Sequence, residues 1–267
     1  MLQLLRIEWM KVKNYRTFWI LLAITAASIP GFNYMLYDIM DNKFPKFHGK
    51  SILGSPYAFP DVWQTVSWNA GMLFVVPAIL IITLTTNEFT YKTHRQNIID
   101  GWSRSQFINV KMFEVLLLSV FCTFMVVLTT LAFGYLANKV PEGISVWAQS
   151  RFIFFYFVQM LSYSMIAFLI SMLIKRAGLA IGVFFIYMII EAVVEGILHS
   201  KYNITAVEYL PEEVTDRLIP LPYGKGLLNQ GGLASWESHI PYYLGVAAVY
   251  LLIYYLLTSR RFLKSDL

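Results

Sequence analysis

Long apolar runs separated by short polar segments dominate this chain. The stretch from Val115 to Ala137 holds 23 residues without a charge, and the stretch from Phe152 to Ile174 holds another 23. A helix rises about 1.5 Å per residue, so roughly 20 apolar residues cross a hydrocarbon core about 30 Å thick. Both runs are therefore long enough to span a membrane as helices.

Repeated along the chain, this pattern predicts six spanning helices. They lie near residues 18–37, 66–86, 112–137, 152–174, 178–198 and 241–258. The second span also has an earlier candidate start, because Pro60-Asp61 is typical of a helix N-terminus with Asp61 as its N-cap. The prediction is an all-α membrane protein in which residues 1–267 form a single transmembrane domain.

The segment 1–17 has the pattern of an amphipathic helix. Its apolar positions fall within about 80° of arc on a helix, while Glu8 points elsewhere. These apolar positions are Leu2, Leu5, Trp9 and Val12. A basic amphipathic helix with a tryptophan on its apolar face can lie along the membrane surface before the chain enters the bilayer. We expect such an interfacial helix here; the alternative is that the segment is only the positively charged flank of the first span.

The composition indicates that lipid is the solvent of these helices. Of 267 residues, 57% are hydrophobic and 14% are charged, against about 25% charged in an ordinary soluble domain. A soluble core of this size could not bury so much apolar surface. The single cysteine, Cys122, excludes a disulfide within the chain.

Basic residues are distributed unevenly among the segments between the spans. Thirteen of the 21 Lys and Arg residues fall in the N-terminal segment, the loop after the second span, the pair Lys175-Arg176 and the C-terminal tail. Basic residues favour the cytoplasmic side, so we expect a multi-pass protein of the inner (cell) membrane with both termini in the cytoplasm. This asymmetry also explains the net charge of +5 without nucleic acid as a partner.

The polar segment 87–111, between the second and third spans, has local helix and turn signals. Asp100-Gly101 is typical of a turn, and Ser103 with Gln106 three residues later has the spacing of a capping box at a helix start. With residues 88–99 also helical, the segment forms a helix–turn–helix hairpin joined to two spans. Such a hairpin suits the transmission of force from a cytoplasmic partner, although an ordinary cytoplasmic loop has the same composition.

The order of polar residues in this hairpin resembles the signature loop of the type-2 family of ABC transporter permeases. The residues that carry the resemblance are Glu88, Thr93, Arg95, Gln96-Asn97, Gly101, Ser103-Arg104 and Lys111. Residues 8–21 are similar to the interfacial helix of that family, and residues 209–222 are similar to its Pro-rich outer segment before the last span. The order of the predicted elements resembles that family over most of the chain. The resemblance in residue identity is limited to these three segments.

The resemblance implies that the hairpin is a coupling helix that docks in a groove of a separate ATPase subunit. In that family two permease subunits, identical or paralogous, work with two copies of the ATPase, which binds ATP and magnesium, and many members are exporters. This chain would then hold no catalytic residue, cofactor or metal, and its sequence contains no G-x-x-x-x-G-K-[ST] motif. The residues expected at the ATPase interface are Glu88, Thr93, Arg95, Asn97, Asp100 and Arg104.

Several of these residues also have a simpler interpretation. Arg95, Arg104 and Lys111 are of the type that flanks spans on the cytoplasmic side, whatever their partners. Glu88 does not affect the orientation of the spans in the membrane, because the preference for the cytoplasmic side concerns Lys and Arg. Its alternative role is to cap a helix.

Four polar residues are candidates for the substrate pathway. Glu191 and Glu195 are four apart and share one helical face, and a carboxylate near hydrocarbon is costly enough to require water, protonation or a partner. They would line the pathway or bind a cationic substrate, unless the fifth span ends near Ile190 and both lie in water. Asn33 and Asn69 are the other two candidates.

Two other functions compete with the ABC permease. Glu212-Glu213 with Arg217 forms the E-E-x-x-x-R motif of a class of intramembrane metalloproteases, but here it lies in the polar outer segment 199–240, and none of the four histidines lies centrally in a span. A secondary transporter or channel without an ATPase partner would need charged sites within the spans. Only Glu191 and Glu195 meet that requirement.

Overall fold

The computed structural model describes residues 2–40, 46–47, 50–51, 55–137, 143, 145–202, 205–223 and 230–263. Two strands of two residues each, β1 (Lys46–Phe47) and β2 (Lys50–Ser51), pair antiparallel, and the remaining elements are helical. The helices are α1 (Leu2–Lys13), α2 (Arg16–Asp38), α3 (Val62–Gly71), α4 (Val75–Thr90), α5 (Thr93–Ile99), α6 (Arg104–Leu136), α7 (Arg151–Ile174), α8 (Ala177–Tyr202), a 3₁₀ helix (Thr205–Tyr209), α9 (Glu213–Asp216) and α10 (Gln230–Leu263).

Five helices are long and apolar enough to cross a membrane. They are α2, α6, α7, α8 and the part Trp236–Leu263 of α10. Helices α3 and α4 meet the same criterion together, but they are bent by 47° at the short break between them. Apolar helices of this number and length confirm the predicted all-α membrane protein with several spans.

The break between α3 and α4 agrees with the kink that a proline inside the second span predicts. Pro77 lies in the first turn of α4. A proline ring clashes with the carbonyl group four residues earlier, which here belongs to Leu73, so the helix is interrupted before the proline. The N-terminal half begins at the earlier candidate start, next to Asp61. Asp61 occupies the N-cap position of α3 without a capping hydrogen bond, and its carboxylate accepts a hydrogen bond from Gln149 Nε2 at 3.1 Å.

Helix α7 lies at the centre of the bundle. It packs against α3, α4, α6, α8 and α10, and large side chains such as Phe152, Tyr156 and Phe168 are buried. The surrounding helices bury one face and expose apolar side chains, such as Ile186 and Leu252, on the other. An apolar outer surface of this extent is what a helix bundle presents to lipid.

Helix α1 lies against the bundle at the end where α4 meets α5. It packs on α2, and Trp9 and Trp19 meet edge to face with ring centroids 6.2 Å apart. Trp9 is exposed, whereas Glu8, which the helical pattern placed away from the apolar face, is buried. The side of α1 that faces the protein therefore carries a buried carboxylate, that of Glu8.

Candidate functional site

The hairpin between α4 and α6 is built by local backbone signals. Lys92 adopts a left-handed conformation after α4, and helix α5 follows. Gly101, with φ of +96°, ends α5: the Gly101 N–H donates to the Ile98 carbonyl at 3.1 Å and the Trp102 N–H to the Asn97 carbonyl at 3.0 Å. This pair of bonds is the Schellman motif, which favours glycine. The predicted turn at Asp100-Gly101 is thus confirmed.

The predicted capping box at the start of α6 is also present. The Ser103 hydroxyl accepts a hydrogen bond from the Gln106 N–H at 3.2 Å, and the Gln106 side chain accepts one from the Ser103 N–H at 2.9 Å. Two backbone groups that the helix start would leave unpaired are satisfied in this way. The hairpin therefore has a defined shape at both of its turns.

The six residues predicted at an ATPase interface fall on two faces of the hairpin. Glu88 and Asn97 are buried and Thr93 is half-buried, so their side chains point toward the bundle. Arg95 and Asp100 are exposed. Arg104 is half-buried and donates to the Leu263 carbonyl at 2.6 Å, which fixes the start of α6 to the end of α10.

A group of five charged residues connects the hairpin to the rest of the protein; we call it the hairpin cluster. Its members are Glu8, Lys11, Glu88, Lys111 and Glu114. Lys111 lies at its centre, with Nζ 2.7 Å from Glu8 Oε2, 2.9 Å from Glu88 Oε1 and 3.3 Å from Glu114 Oε2. The Lys111 side chain is only 3% exposed. The three carboxylates come from α1, α4 and α6, so one lysine holds three helices together.

Lys11 forms the more exposed side of the same cluster. Its Nζ lies 2.7 Å from Glu8 Oε1 and 3.4 Å from Glu88 Oε1. It also donates to Asn97 Oδ1 on α5 at 3.2 Å and lies 5.8 Å from the centre of the Trp102 ring. Lys11 therefore joins the N-terminal helix directly to the hairpin.

Glu88 fixes the first turn of α5 through both its side chain and its backbone. The Thr93 hydroxyl donates to the Glu88 carboxylate, and His94 Nδ1 lies 2.7 Å from the Glu88 carbonyl oxygen. The Glu88 carboxylate is therefore held by Thr93 and two lysines, and through these contacts it positions the hairpin.

The energetics of the hairpin cluster follow from burial. Two lysines and three glutamates leave a net charge of −1 among groups that are mostly withdrawn from water. Removing one partner from a buried ion pair costs about 3–5 kcal/mol, because the other charge is left uncompensated. The cluster lines a cavity of about 190 Å³ through Glu8, Lys11, Glu88 and Lys111, but each of these charges is paired within the cluster. Its capacity is mechanical: movement of the hairpin must move α1 and α6 with it.

The sequence did not reveal this cluster as a unit. Lys111 had the simpler interpretation of a basic flank, and Glu8 was expected on the polar side of α1. Their contact joins positions 103 residues apart. The local signals were two spacings, that of Lys111 and Glu114 and that of Glu8 and Lys11, each three apart on one helix.

The predicted pathway residues Asn33 and Asn69 are brought together in the structure. Asn69 Nδ2 donates to Asn33 Oδ1 at 2.9 Å and to the Tyr57 hydroxyl at 3.2 Å. The Tyr223 hydroxyl donates to Asn69 Oδ1 at 2.6 Å. Both asparagines are fully buried, so they connect α2 and α3 to the loops that carry the tyrosines instead of facing an open cavity.

Glu191 and Glu195 lie within α8, which continues past Ile190 to Tyr202. Glu191 Oε1 accepts hydrogen bonds from the backbone N–H groups of Glu212 at 2.6 Å and Glu213 at 3.3 Å. Glu195 Oε1 lies 3.6 Å from Arg217 Nη2. Both carboxylates therefore face the segment 205–223, which packs against the helices at the end opposite the hairpin.

Six carboxylates gather at this end, and we call them the acidic cluster. They are Glu191, Glu195, Glu208, Glu212, Glu213 and Asp216. Asp216 Oδ1 accepts hydrogen bonds from Gln159 Nε2 at 2.8 Å and from the Tyr163 hydroxyl at 2.6 Å. Tyr163 is twelve residues into α7, which at 1.5 Å per residue places it about 18 Å from the start of that helix. Helix α9 thus enters the bundle between the spans.

Arg217 is the cation within this cluster. Its guanidinium lies 2.7 Å from Glu213, 3.6 Å from Glu195 and 3.6 Å from Glu208. The E-E-x-x-x-R motif is therefore used for ion pairing around α9. Among the described residues no group of three or more His, Cys, Asp or Glu side chains has the geometry to hold a metal ion.

The carboxyl groups of α9 and the residue before it have raised pKa values. Burial, together with the charges of Glu191 and Asp216, raises the pKa of Glu212 to about 9. Burial raises the pKa of Glu213 to about 7, against the lowering effect of Arg217. Burial raises the pKa of Asp216 to about 6, against hydrogen bonds from Tyr163 and Gln159 that lower it. In each case the low polarity around the carboxyl disfavours its charged form.

A cavity of about 660 Å³ opens beside the acidic cluster. Glu208, Glu213, Asp216 and Arg217 contribute its charged wall. The rest of its lining is mainly aromatic and includes Trp68, Tyr209, Trp236, His239 and Tyr243. The cavity is large enough for a small organic ligand.

Comparison with known families gives one finding. A family model described as ABC-2 family transporter protein matches residues 4–191, which is more than half of the 267 residues. The matched part includes the hairpin cluster and Glu191, and it ends before α9 and α10. No curated protein matches the chain.

Proposed function

The chain belongs to the ABC-2 transporter family, and we propose that it is the membrane-spanning subunit of an ATP-driven exporter whose ATPase is a separate polypeptide. In this proposal α3 and α4 form one broken span, which gives six spans, and α1 lies along the cytoplasmic membrane surface. Both termini are in the cytoplasm of a cell-membrane protein. Two ATPase copies bind ATP and magnesium, and a second permease subunit, identical or paralogous, completes the transporter.

The observation that carries the proposal is the hairpin cluster. A hairpin that transmits force must be stiff and must be attached to the elements that it moves. Lys111 and Lys11 join α1, α4 and α6 through ion pairs of 2.7 to 3.4 Å. Hydrogen bonds from Lys11 to Asn97 and from Thr93 to Glu88 attach α5 to this network. Because these contacts are largely buried, displacement of the hairpin is passed to two spanning helices and to the N-terminal helix together.

The outward face of the hairpin supplies a surface for the ATPase. Tyr91 is 70% exposed and Ile99 is 78% exposed, and exposed Arg95 and Asp100 lie between and beside them. An apolar pair with charged neighbours is the composition of a small protein interface, in which aromatic and apolar anchors are surrounded by polar residues. We place Thr93, Asn97 and Glu88 beneath this surface as residues that position it.

Co-purification tests this proposal. A tagged chain is isolated from its native membranes, and the amount of ATP-binding subunit that accompanies it is measured. Ile99→Asp and Arg95→Glu should lower that amount at least about tenfold, the effect of losing about 1.4 kcal/mol of binding free energy. Lys13→Glu, at an exposed lysine of α1 outside the hairpin, is the matched control and should retain the partner.

Two results would overturn the proposal. The first is an unchanged amount of ATPase with both hairpin variants. The second is labelling of residue 96, as cysteine in a chain with Cys122→Ser, by a membrane-impermeant thiol reagent added to intact cells. That labelling would place the hairpin outside, where no ATPase could reach it.

The acidic cluster supports one alternative, a secondary transporter that is coupled to protons and needs no ATPase. Buried carboxyl groups with raised pKa values, such as Glu212 and Glu213, are the groups that such a protein would use. Reconstitution of the purified chain alone into liposomes separates the two functions. Solute movement driven by a pH gradient, without ATPase or ATP, would favour the alternative.

A further inference from the structure

The cavity beside the acidic cluster has walls of two kinds. Trp68, Tyr209, Trp236 and Tyr243 provide aromatic surface. Glu208, Glu213 and Asp216 provide carboxylates on the same cavity. Aromatic faces and carboxylates both attract positive charge, the first through the negative potential of the ring face and the second through full charge. The two walls therefore favour ligands of the same sign.

Among the described residues that line this cavity, acidic groups outnumber basic groups. Three carboxyl groups face one guanidinium, that of Arg217, and its nearest contact, 2.7 Å, is with Glu213. Glu195, which does not line the cavity, also lies 3.6 Å from the same guanidinium. Arg217 is thus shared among several carboxyl groups, and a positive ligand in the cavity would favour the charged forms of Glu213 and Asp216, which burial disfavours.

A second observation comes from the polar atoms behind this wall. Glu212 is 6% exposed, and its Oε1 has no hydrogen-bond partner among the residues that the structure describes. Its neighbours in charge are the carboxylates of Glu191 and Asp216. An unpartnered carboxyl oxygen next to two other acids is destabilising in a buried position. Glu212 does not line the cavity, so a cation bound there would stabilise its charged form through space and not by direct contact.

We propose that this cavity binds an organic cation that carries apolar surface, of the aryl- or alkylammonium class, and that this cation is the class of substrate moved by the transporter. A bare metal ion would find no suitable ligand set among the described residues, and aromatic walls do not coordinate one. A volume of about 660 Å³ accommodates an ammonium group with aromatic or branched alkyl substituents. Calling the ligand a substrate rests on the proposed function, whereas its binding does not.

Benzyltrimethylammonium is the probe for this site. The purified chain is reconstituted into nanodiscs of zwitterionic lipid, and binding is measured by isothermal titration calorimetry. Benzenesulfonate, an anion of similar size, is the matched ligand control. The wild-type chain should bind the cation saturably and should not bind the anion.

Isosteric variants identify the carboxylates responsible. Asp216→Asn and Glu208→Gln should each weaken cation binding at least tenfold. Asp61→Asn removes a carboxylate that does not line the cavity and should bind as the wild type does. Thermal unfolding of each nanodisc sample shows whether the chain is folded, and Glu208→Gln, at a half-buried position, provides the test if Asp216→Asn unfolds.

Three results would overturn the inference. They are the absence of cation binding by folded wild-type chain, equal binding of the anion, and unchanged cation binding in folded Glu208→Gln. None of them depends on the ATPase. If the cation fails to bind while Ile99→Asp still removes the ATPase, the substrate class is wrong and the proposed function stands. If the cation binds but Ile99→Asp retains the ATPase, the binding site stands and the proposed coupling is wrong.

Discussion

The hairpin cluster and the acidic cluster are both groups of charged residues against apolar helices, but they differ in charge balance. In the hairpin cluster every carboxylate lies within 3.4 Å of a lysine Nζ. In the acidic cluster three of the six carboxyl groups, those of Glu195, Glu208 and Glu213, contact Arg217, and its two longer contacts are 3.6 Å. In the first cluster every acid has a basic partner, whereas in the second the other three acids have none among the described residues.

This difference separates a mechanical role from a binding role. Compensated buried charges hold their helices in one arrangement, because any separation exposes an unpaired charge to low polarity. Uncompensated buried charges lower stability in the empty protein and gain favourable energy when a counter-charge arrives. Proteins retain such destabilising groups mainly at sites that bind ligands or catalyse reactions. The hairpin end is therefore suited to transmit movement, and the opposite end is suited to receive a cation.

Removal of the central lysine should have the largest effect. Lys111→Met leaves Glu8, Glu88 and Glu114 with Lys11 alone, and we expect a loss of about 3–5 kcal/mol in the free energy of unfolding. The hairpin should also become accessible to limited proteolysis at Tyr91 and Ile99. Thermal unfolding in detergent and the pattern of cleavage measure the two effects.

Two further variants show whether charge is the cause. Lys13→Met removes an exposed lysine from α1 and should change the free energy of unfolding by less than about 0.5 kcal/mol. Glu88→Gln combined with Lys111→Met should recover part of the loss, because it removes one of the stranded charges. A melting temperature of Lys111→Met equal to that of the wild type would show that the cluster does not hold the helices.

The acidic cluster should make the free energy of unfolding depend on pH. Here ionisation of the carboxyl groups lowers stability, whereas in the hairpin cluster paired charges maintain it. The pKa of Glu212 is raised to about 9, above about 4.3 for an unperturbed glutamate, so the folded chain holds this proton more tightly than the unfolded chain. Its contribution to stability is fully present below about pH 4.3 and is lost as the pH rises through about 9. Between pH 6 and pH 8 one such group changes the free energy of unfolding by at most about 2–3 kcal/mol.

Glu212→Gln tests this dependence directly. The variant cannot ionise at this position, so the decline in melting temperature from pH 6 to pH 8 should become smaller. The remaining slope comes from Glu213 and Asp216, whose pKa values are raised to about 7 and about 6. Glu237→Gln, at an exposed position paired with Arg151, should keep the wild-type slope. Equal slopes in Glu212→Gln and the wild type would assign the pH dependence elsewhere.

The parts of the fold that were predictable from the sequence rest on local signals. Apolar runs longer than 20 residues predict spans because the bilayer sets a length. The turn at Gly101 and the capping box at Ser103 were predictable because a few adjacent residues determine them. A proline inside an apolar run is a further local signal, and the second span bends just before Pro77.

The candidate sites were less predictable because they depend on contacts between distant segments. Glu191 was identified by its position in an apolar helix, but its partners, the N–H groups of Glu212 and Glu213, lie in a segment whose depth no local pattern shows. Glu8 and Lys111 were assigned to unrelated roles because helical periodicity places a residue on a face without showing what covers that face. The cluster that matters most for the hairpin was therefore visible only in three dimensions.

Within the hairpin cluster, the smallest effect on the free energy of unfolding is expected for substitution of Lys11. Comparison with Lys111 shows whether burial or charge alone determines what an ion pair of the hairpin cluster contributes. Lys11 pairs with Glu8 and Glu88, as Lys111 does, but its side chain is 28% exposed. Lys11→Met should therefore lower the free energy of unfolding by only about 1 kcal/mol or less. Raising the salt concentration to about 1 M, where charges are screened over about 3 Å, should shrink this difference and leave the effect of Lys111→Met nearly unchanged. If both variants lose the same stability at both salt concentrations, the five residues act as one unit, and exposure does not determine what each ion pair contributes.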